Sequence, residues 1–360
     1  MEVQFNWHVP CGGDGRWMAQ WMPERLPHVD YLQQVAVAAE TVGFDRVLVP
    51  CAFSNGNYSL AAPYVDSWTL GTALMAATRK IEILVAHRPG FINPGVFAQM
   101  CATADDFSAG RLALNIVTAG APGDMEQFGD VLDHDARYRR ASEFVDVLKS
   151  LWTQEETNFD GEFYCMQRAG LSPKPVQAGG PRFFLAGASE SAIDMAAKQA
   201  DVYMMSASTV ENIGARIADV RARAAAVGRT VQFCVAATMF AADTDEEARR
   251  WATDFVSRAD LEVVAERTRL GRMTTSVEDL RARAGTNMHT WLTPNIWSGM
   301  VHLTYGAAWV GSYTDIAALF EQYAHAGVNI FQIYGYPFLE EAYHVGERLL
   351  PVVKKRLAAV

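Results

Sequence analysis

In LNIVTAG, residues 114–120, an amide and a hydroxyl interrupt an apolar run: Asn115 and Thr118 stand among Leu114, Ile116 and Val117. The run reads as a buried strand. Polar side chains near its C-terminal end either pair with each other to hold the next loop or point at a bound molecule. Two more polar clusters sit at predicted strand-to-helix turns. HDARYRR (134–140) gathers His134, the Tyr138 phenol and several charges at a helix start. GASESAIDMAA (187–197) closes a strand at Gly187 and opens a helix at Ser189. The Ser189 hydroxyl and the next backbone N–H groups, from Glu190 onward, form an anion site of the kind helix N-termini supply, or an ordinary helix cap. In VAHRPG (85–90), His87 can move a proton near neutral pH, and Arg88 offers a permanently charged fork to an anion or to a structural carboxylate.

These groups need a frame that brings strand ends together. Apolar runs at 3–9, 46–50, 80–87, 111–118, 182–187, 201–206, 230–240 and 327–335 read as eight strands. Amphipathic stretches between them read as helices at 29–44, 66–78, 94–110, 135–152, 189–200, 209–227, 244–258 and 314–327, with another at 339–358. A short β-like piece at 157–166 turns at Asp160-Gly161, as a hairpin does. No Gly-rich or Pro-rich linker divides the series. The expectation is an α/β chain forming one (β/α)8 TIM barrel over residues 1–360, rather than an open doubly wound sheet. Two stretches exceed the plain barrel: a loop at 121–135 and an insertion or lid at 259–312. Loops that follow strands lie on the face that carries chemistry in such a barrel, and Asn115 and Thr118 belong to that face.

Composition narrows the partners. The 360 residues are half hydrophobic, enough for a large core, and carry a formal charge of -10 without a basic run. That balance argues against nucleic acid or an anionic membrane as ligand and favours a small molecule. No stretch nears the roughly 20 apolar residues of a membrane helix, and the N-terminus lacks a signal pattern, so the expected compartment is the cytoplasm. Five cysteines without a CxxC pair suggest free thiols and no metal site. GxSxG, HExxH, P-loop and first-strand GxGxxG motifs are missing, which disfavours a classical hydrolase and an integral nicotinamide domain.

GDGRW (13–17), YLQQVAVAAETVGFDRVLVP (31–50), ILVAHRPGFINP (83–94), GRLALNIVTAGAPGD (110–124), LDHDARYRRASEF (132–144), GASESAIDMAA and GYPFLEEAYHVGERLLP (335–351) occur in one order over nearly the whole chain. Together they resemble the alkanesulfonate monooxygenase branch of the bacterial luciferase-like flavin enzymes. The resemblance implies a barrel that takes reduced FMN (FMNH2) from a separate NAD(P)H-dependent flavin reductase. It also implies reaction of that flavin with O2, oxygenation of a small organic substrate by the flavin peroxide, and assembly as a homodimer or homotetramer. Position by position it places Asn115 and Thr118 along the flavin ring and ribityl chain. Tyr138 and Ser189, with the Glu190 backbone and neighbouring His134, match the phosphate site. Arg88 matches an arginine of the family, for an anionic substrate or the peroxide, and His87 replaces an apolar residue. Trp7, Phe53, Trp68, Trp297 and Tyr336 are the candidate apolar enclosure, with Tyr336 also facing the substrate; their alternative role is ordinary core.

The substrate pattern departs from the branch. An arginine and a histidine expected on the seventh strand are Ala236 and Thr238, a histidine before GDG is Gly12, and a second-loop cysteine is Tyr64. A lid arginine is replaced near His302, whereas TPNIWSGM (293–300) and GYP (335–337) are kept. The resulting expectation is a two-component FMNH2-dependent monooxygenase acting on a small organic compound, with organosulfur, sulfonate-type molecules as one candidate class. Catalysis would fall to His87, Arg88 and Tyr336, and substrate contact to Tyr64, Trp68, Trp297 and His302. Alternatives are a sulfone or heterocycle monooxygenase, a deazaflavin (F420)-dependent oxidoreductase of the same superfamily, and a catalytically silent flavin-binding barrel.

Overall fold

The computed structural model describes residues 2–14, 22–53, 62–118, 125–259, 290–300 and 306–358. In chain order these form β1 (Gln4–His8), α1 (Val29–Thr41), β2 (Arg46–Val49), α2 (Ser67–Ala77), β3 (Glu82–His87), α3 (Pro94–Phe107), β4 (Leu112–Ile116) and α4 (His134–Thr153). A hairpin of β5 (Thr157–Asp160) and β6 (Cys165–Ala169) follows. Next come β7 (Arg182–Ala186), α5 (Glu190–Gln199), β8 (Val202–Ser206), α6 (Val210–Ala226), β9 (Gln232–Ala242) and α7 (Asp245–Ser257). The last part holds β10 (Trp291–Thr293), β11 (Ile296–Trp297), β12 (Ala308–Ser312), α8 (Tyr313–His325), β13 (Ile330–Tyr334), α9 (Phe338–His344) and α10 (Leu350–Ala358).

Strands β1, β2, β3, β4, β7, β8, β9 and β13 pair in parallel in that order, and β13 returns to β1. The ring is closed: the expected (β/α)8 barrel, built from the eight expected strands. Side chains alternate between its two faces. Leu48, Leu84, Ala113, Phe184, Val202, Met204, Cys234 and Ile330 pack together inside. Their neighbours Val47, Ile83, Val85, Leu112 and Leu114 join the larger core shared with the helices. At the strand N-terminal ends Arg46, 1 % exposed, fills the floor, donating to Glu82 at 2.6 Å and to Asn6 at 3.1 Å.

The 259–312 stretch contains more ordered pairing than its sequence suggests. β9 is eleven residues long and runs past the barrel rim, where Thr238–Ala242 pair in parallel with β12. β10 and β11 extend that edge antiparallel. Segment AWVGS is short and holds a glycine, so it carries too little periodicity to stand out from a loop. The expected helix over 339–358 is interrupted by a π turn at Val345–Leu349.

Strand C-terminal ends open on one face, where the following helices start. Several starts are capped by the residue before them. Asp133 accepts from Ala136 N–H, Ser189 from Ala192 N–H and Thr209 from Asn212 N–H. Each such cap contributes about 1 kcal/mol and fixes a helix N-terminus on the mouth face.

Candidate active site

A cavity of about 630 Å³ opens at this mouth. On the barrel side its wall includes Leu48, Asn115, Met204, Ser206, Ala236 and Tyr334. From there it crosses the Ala186–Ala188 turn and ends between α5 and α6, at Glu190, Asn212 and Arg216. Asn115 is the polar group of the inner row. It follows inward-facing Ala113 by two residues, and its buried Oδ1 has no hydrogen-bond partner among the described residues. A buried acceptor left unpaired is costly, so this atom is suited to a donor on a bound molecule.

The polar turn beside it is assembled from three elements. Tyr138, on the first turns of α4, is 6 % exposed, and its hydroxyl lies beside those of Thr118 and Ser189. Burial raises the phenol pKa, and these two hydroxyls partly offset the rise, so Tyr138 is a neutral donor at physiological pH. The N-termini of α4 and α5 are tied together where Ser191 Oγ donates to Asp135 Oδ1 at 2.7 Å. Gly187 lies beneath with φ +141, and a Cβ there would fall 2.6 Å from Ala192 Cβ and 2.8 Å from Tyr138 Oη. Only glycine lets the backbone pass so close to the tyrosine hydroxyl. Two helix N-termini, three hydroxyls and unobstructed backbone thus converge, an arrangement that favours a phosphate. With the orphaned Asn115 carbonyl on the cavity wall and the Gly187–Ala188 turn along its edge, the residues fit a phosphorylated flavin.

Other sequence candidates are placed as follows. His134 is half-exposed, its ring 5.0 Å from Tyr138 and its Nδ1 2.9 Å from Asp135. Glu190 lines the cavity while its carboxylate takes Arg223 at 2.9 Å. Arg88 sits in the loops above the mouth, its guanidinium 4.8 Å from the Phe53 ring and donating to Met125 Sδ at 3.3 Å. Phe91 and Phe128 pack against Phe53 at 4.5 and 4.4 Å, so this cation is set in an aromatic wall.

His87 is not brought to the mouth. It continues the outward row of β3, with its ring stacked 3.7 Å from Phe97 and 5.3 Å from Phe144. Burial pulls its pKa down to about 3, only partly opposed by Asp66. Trp7 likewise faces the helices, 5.1 Å from Phe44, and Trp68 packs on Phe97 at 4.9 Å. Tyr64 is half-buried at the edge of the main core. Trp297, 1 % exposed, stacks on Trp291 in the β10–β11 pair. Tyr336 is packed between Phe255 and Phe338 at 5.7 and 4.8 Å. His302 lies outside the described residues.

Four residues near the mouth escaped the sequence reading. Tyr334 lines the cavity and stacks at 4.8 Å on His8, which ends β1. The His8 Nδ1 is buried without a partner among the described residues, and burial lowers its pKa to about 3. Strand parity was the available signal, since Gln332–Tyr334 and Asn6–His8 share the inward row. Tyr203 and Arg216 had none, because their role depends on α5 and α6 lying side by side.

The fold is a parallel barrel whose polar turns follow its fourth and fifth barrel strands, on the face where such barrels carry chemistry. A family profile described as luciferase-like monooxygenase matches residues 7–329. The chain belongs to that family and is an oxidoreductase of the monooxygenase class. Solved structures of the same fold include a long-chain alkane monooxygenase, with TM-score 0.81 and 21 % identity, over 99 % of this chain and 92 % of that one. A riboflavin lyase with modified FMN and riboflavin also gives TM-score 0.81, at 18 % identity over the same shares. An F420-dependent secondary alcohol dehydrogenase gives 0.69 at 18 % identity, over 98 % of this chain and 99 % of that one.

Proposed function

We propose that this chain is the oxygenase component of a two-component, reduced-FMN-dependent monooxygenase that oxygenates a small organic, organosulfur-type substrate with O2. The observation that carries the reading is that the cavity bearing the orphaned Asn115 carbonyl runs along the Gly187–Ala188 turn, against which the Tyr138 hydroxyl packs. When bound, reduced FMN supplies the reaction with O2. Asn115 orients the flavin ring, the cradle holds its phosphate, and the Phe53, Phe91 and Phe128 wall excludes water while Arg88 attracts an anionic or strongly dipolar substrate group. A separate flavin reductase delivers the cofactor, and the working unit is a homo-oligomer.

FMN is favoured over deazaflavin F420 by charge beyond the cradle. Glu190, Asp194 and Asp219 gather around Arg223 at the cavity's α5–α6 end. These carboxylates, partly offset by Arg223, oppose the several negative charges of an F420 oligoglutamate tail more than the single phosphate of FMN. Ala236 and Thr238 favour a neutral sulfone or heterocycle as the second substrate reading, because the seventh-strand arginine and histidine of sulfonate enzymes are gone.

Anaerobic titration with reduced FMN and with reduced F420, followed by O2 uptake with sulfonates, sulfones and heterocycles, tests this. Tight FMN binding with substrate-coupled O2 uptake and an oxygenated product is expected. Preference for F420, or FMN oxidation without product across the panel, refutes it.

A further inference from the structure

The α5–α6 end of the cavity holds a cation that the family-derived cradle does not include. Arg216 lines the cavity beside Gly187, Ala188 and Glu190. Its Nη1 donates to the Ala188 carbonyl at 3.3 Å, and its guanidinium lies against the Tyr203 phenol. Among the described residues no carboxylate forms an ion pair with it, whereas neighbouring Arg223 is shared by three. Tyr203, 1 % exposed, donates to the Gly187 carbonyl at 2.5 Å. The two consecutive carbonyls of the turn are therefore both held by side chains, one from β8 and one from α6.

Resting on the FMN reading above, we infer that Arg216 is the cationic member of the phosphate site, and that Arg216 and Tyr203 together position the Gly187–Ser189 turn. Without it the cradle consists of neutral donors and helix ends, while an FMN phosphate is close to a dianion at pH 7. A guanidinium held in no direct ion pair among the described residues, on a wall it shares with Glu190 and Asp219, supplies the missing charge and offers forked donors to phosphate oxygens.

Removing the phosphate from the ligand isolates this role. Reduced FMN and reduced riboflavin are titrated anaerobically into wild type, Arg216→Gln, Arg216→Lys and Tyr203→Phe, with circular dichroism confirming the fold. Loss of one charge-assisted contact should weaken FMN binding roughly ten- to hundredfold in Arg216→Gln, with riboflavin affinity unchanged. Arg216→Lys should recover part of the loss, and Tyr203→Phe should weaken FMN more than riboflavin. Equal losses for both flavins would make Arg216 a merely structural residue and overturn the assignment, as would undiminished FMN affinity in Arg216→Gln. A wild-type protein that binds neither flavin would overturn the FMN reading itself, a result distinct from failure of the variant.

Discussion

Replacing His87 by phenylalanine separates a packing role from a proton-transfer role. The imidazole is 7 % exposed, packed against both Phe97 and Phe144, and its buried Nε2 has no partner among the described residues. Its folded pKa of about 3 lies below the ordinary 6.5, so the folded protein resists protonating it. The stability it contributes is full above pH 6.5 and is lost as pH falls towards 3. Between pH 7 and 5.5 linkage gives a loss of about 1 kcal/mol from this one group. His8 acts in the same direction. Asp14 acts oppositely: burial raises its pKa to about 6, so its contribution is full below 3.8 and is lost as pH rises through 6. Subtracting variant from wild type cancels both. Urea unfolding followed by tryptophan fluorescence at pH 7 and 5.5 should show His87→Phe less acid-sensitive than wild type by about 1 kcal/mol, with an unchanged m value. Flavin binding should persist, because the ring is outside the cavity. Parallel pH curves for the two proteins, or intact flavin binding with abolished turnover, would refute the packing account and restore His87 to the chemistry.

Ser189→Ala combined with Tyr138→Phe removes two cradle hydroxyls and should weaken reduced FMN binding in an anaerobic titration; unchanged affinity discards the phosphate site. Asn115→Leu should weaken FMN and riboflavin alike, roughly tenfold, since it deletes a ring contact rather than a phosphate contact. Retention of both affinities would show that the orphaned carbonyl serves no flavin. Arg46→Met leaves Glu82 without its guanidinium at the barrel floor, where the Glu82 side chain keeps 22 % exposure. The cost should be about 3 kcal/mol in chemical denaturation, the low end of the range for breaking a buried pair. A loss below about 1 kcal/mol would mean the floor network is dispensable.

The eight barrel strands were legible because each is a run of apolar residues bounded by turn chemistry, and their closure followed from number and alternation. Asn115, Tyr138 and Ser189 were legible because polar residues at strand ends and helix starts break an otherwise apolar pattern. His87 misled for a physical reason. A histidine at the end of a barrel strand faces the mouth only if its parity is inward, and Leu84 fixes the even positions of β3 as the inward row. Arg88 has that inward parity, and lies in the mouth loops. β12 was hidden because five residues joined to a long insertion carry no period of their own. Arg216 was hidden because the spacing of α5 and α6, which no local pattern encodes, decides what it touches.

The seventh barrel strand joins the fold to substrate choice. Ala236 and Thr238 follow Cys234 in the inward row, beside Gln332 and Tyr334 on β13, and Ala236 lines the cavity. An arginine and a histidine at these positions would project into the mouth, reduce its volume and make it strongly cationic. Small neutral side chains do the reverse. They leave the cavity wall neutral there, and on the proposed reading Arg88, set against Phe53, is the cation left to meet a substrate. On the proposed reading, a molecule with one dipolar or singly charged group and an apolar body gains from both its parts at such a wall. Small side chains at Ala236 and Thr238 therefore make the mouth less cationic than the sulfonate pattern would, which is why the proposed substrate range extends to neutral sulfones and heterocycles.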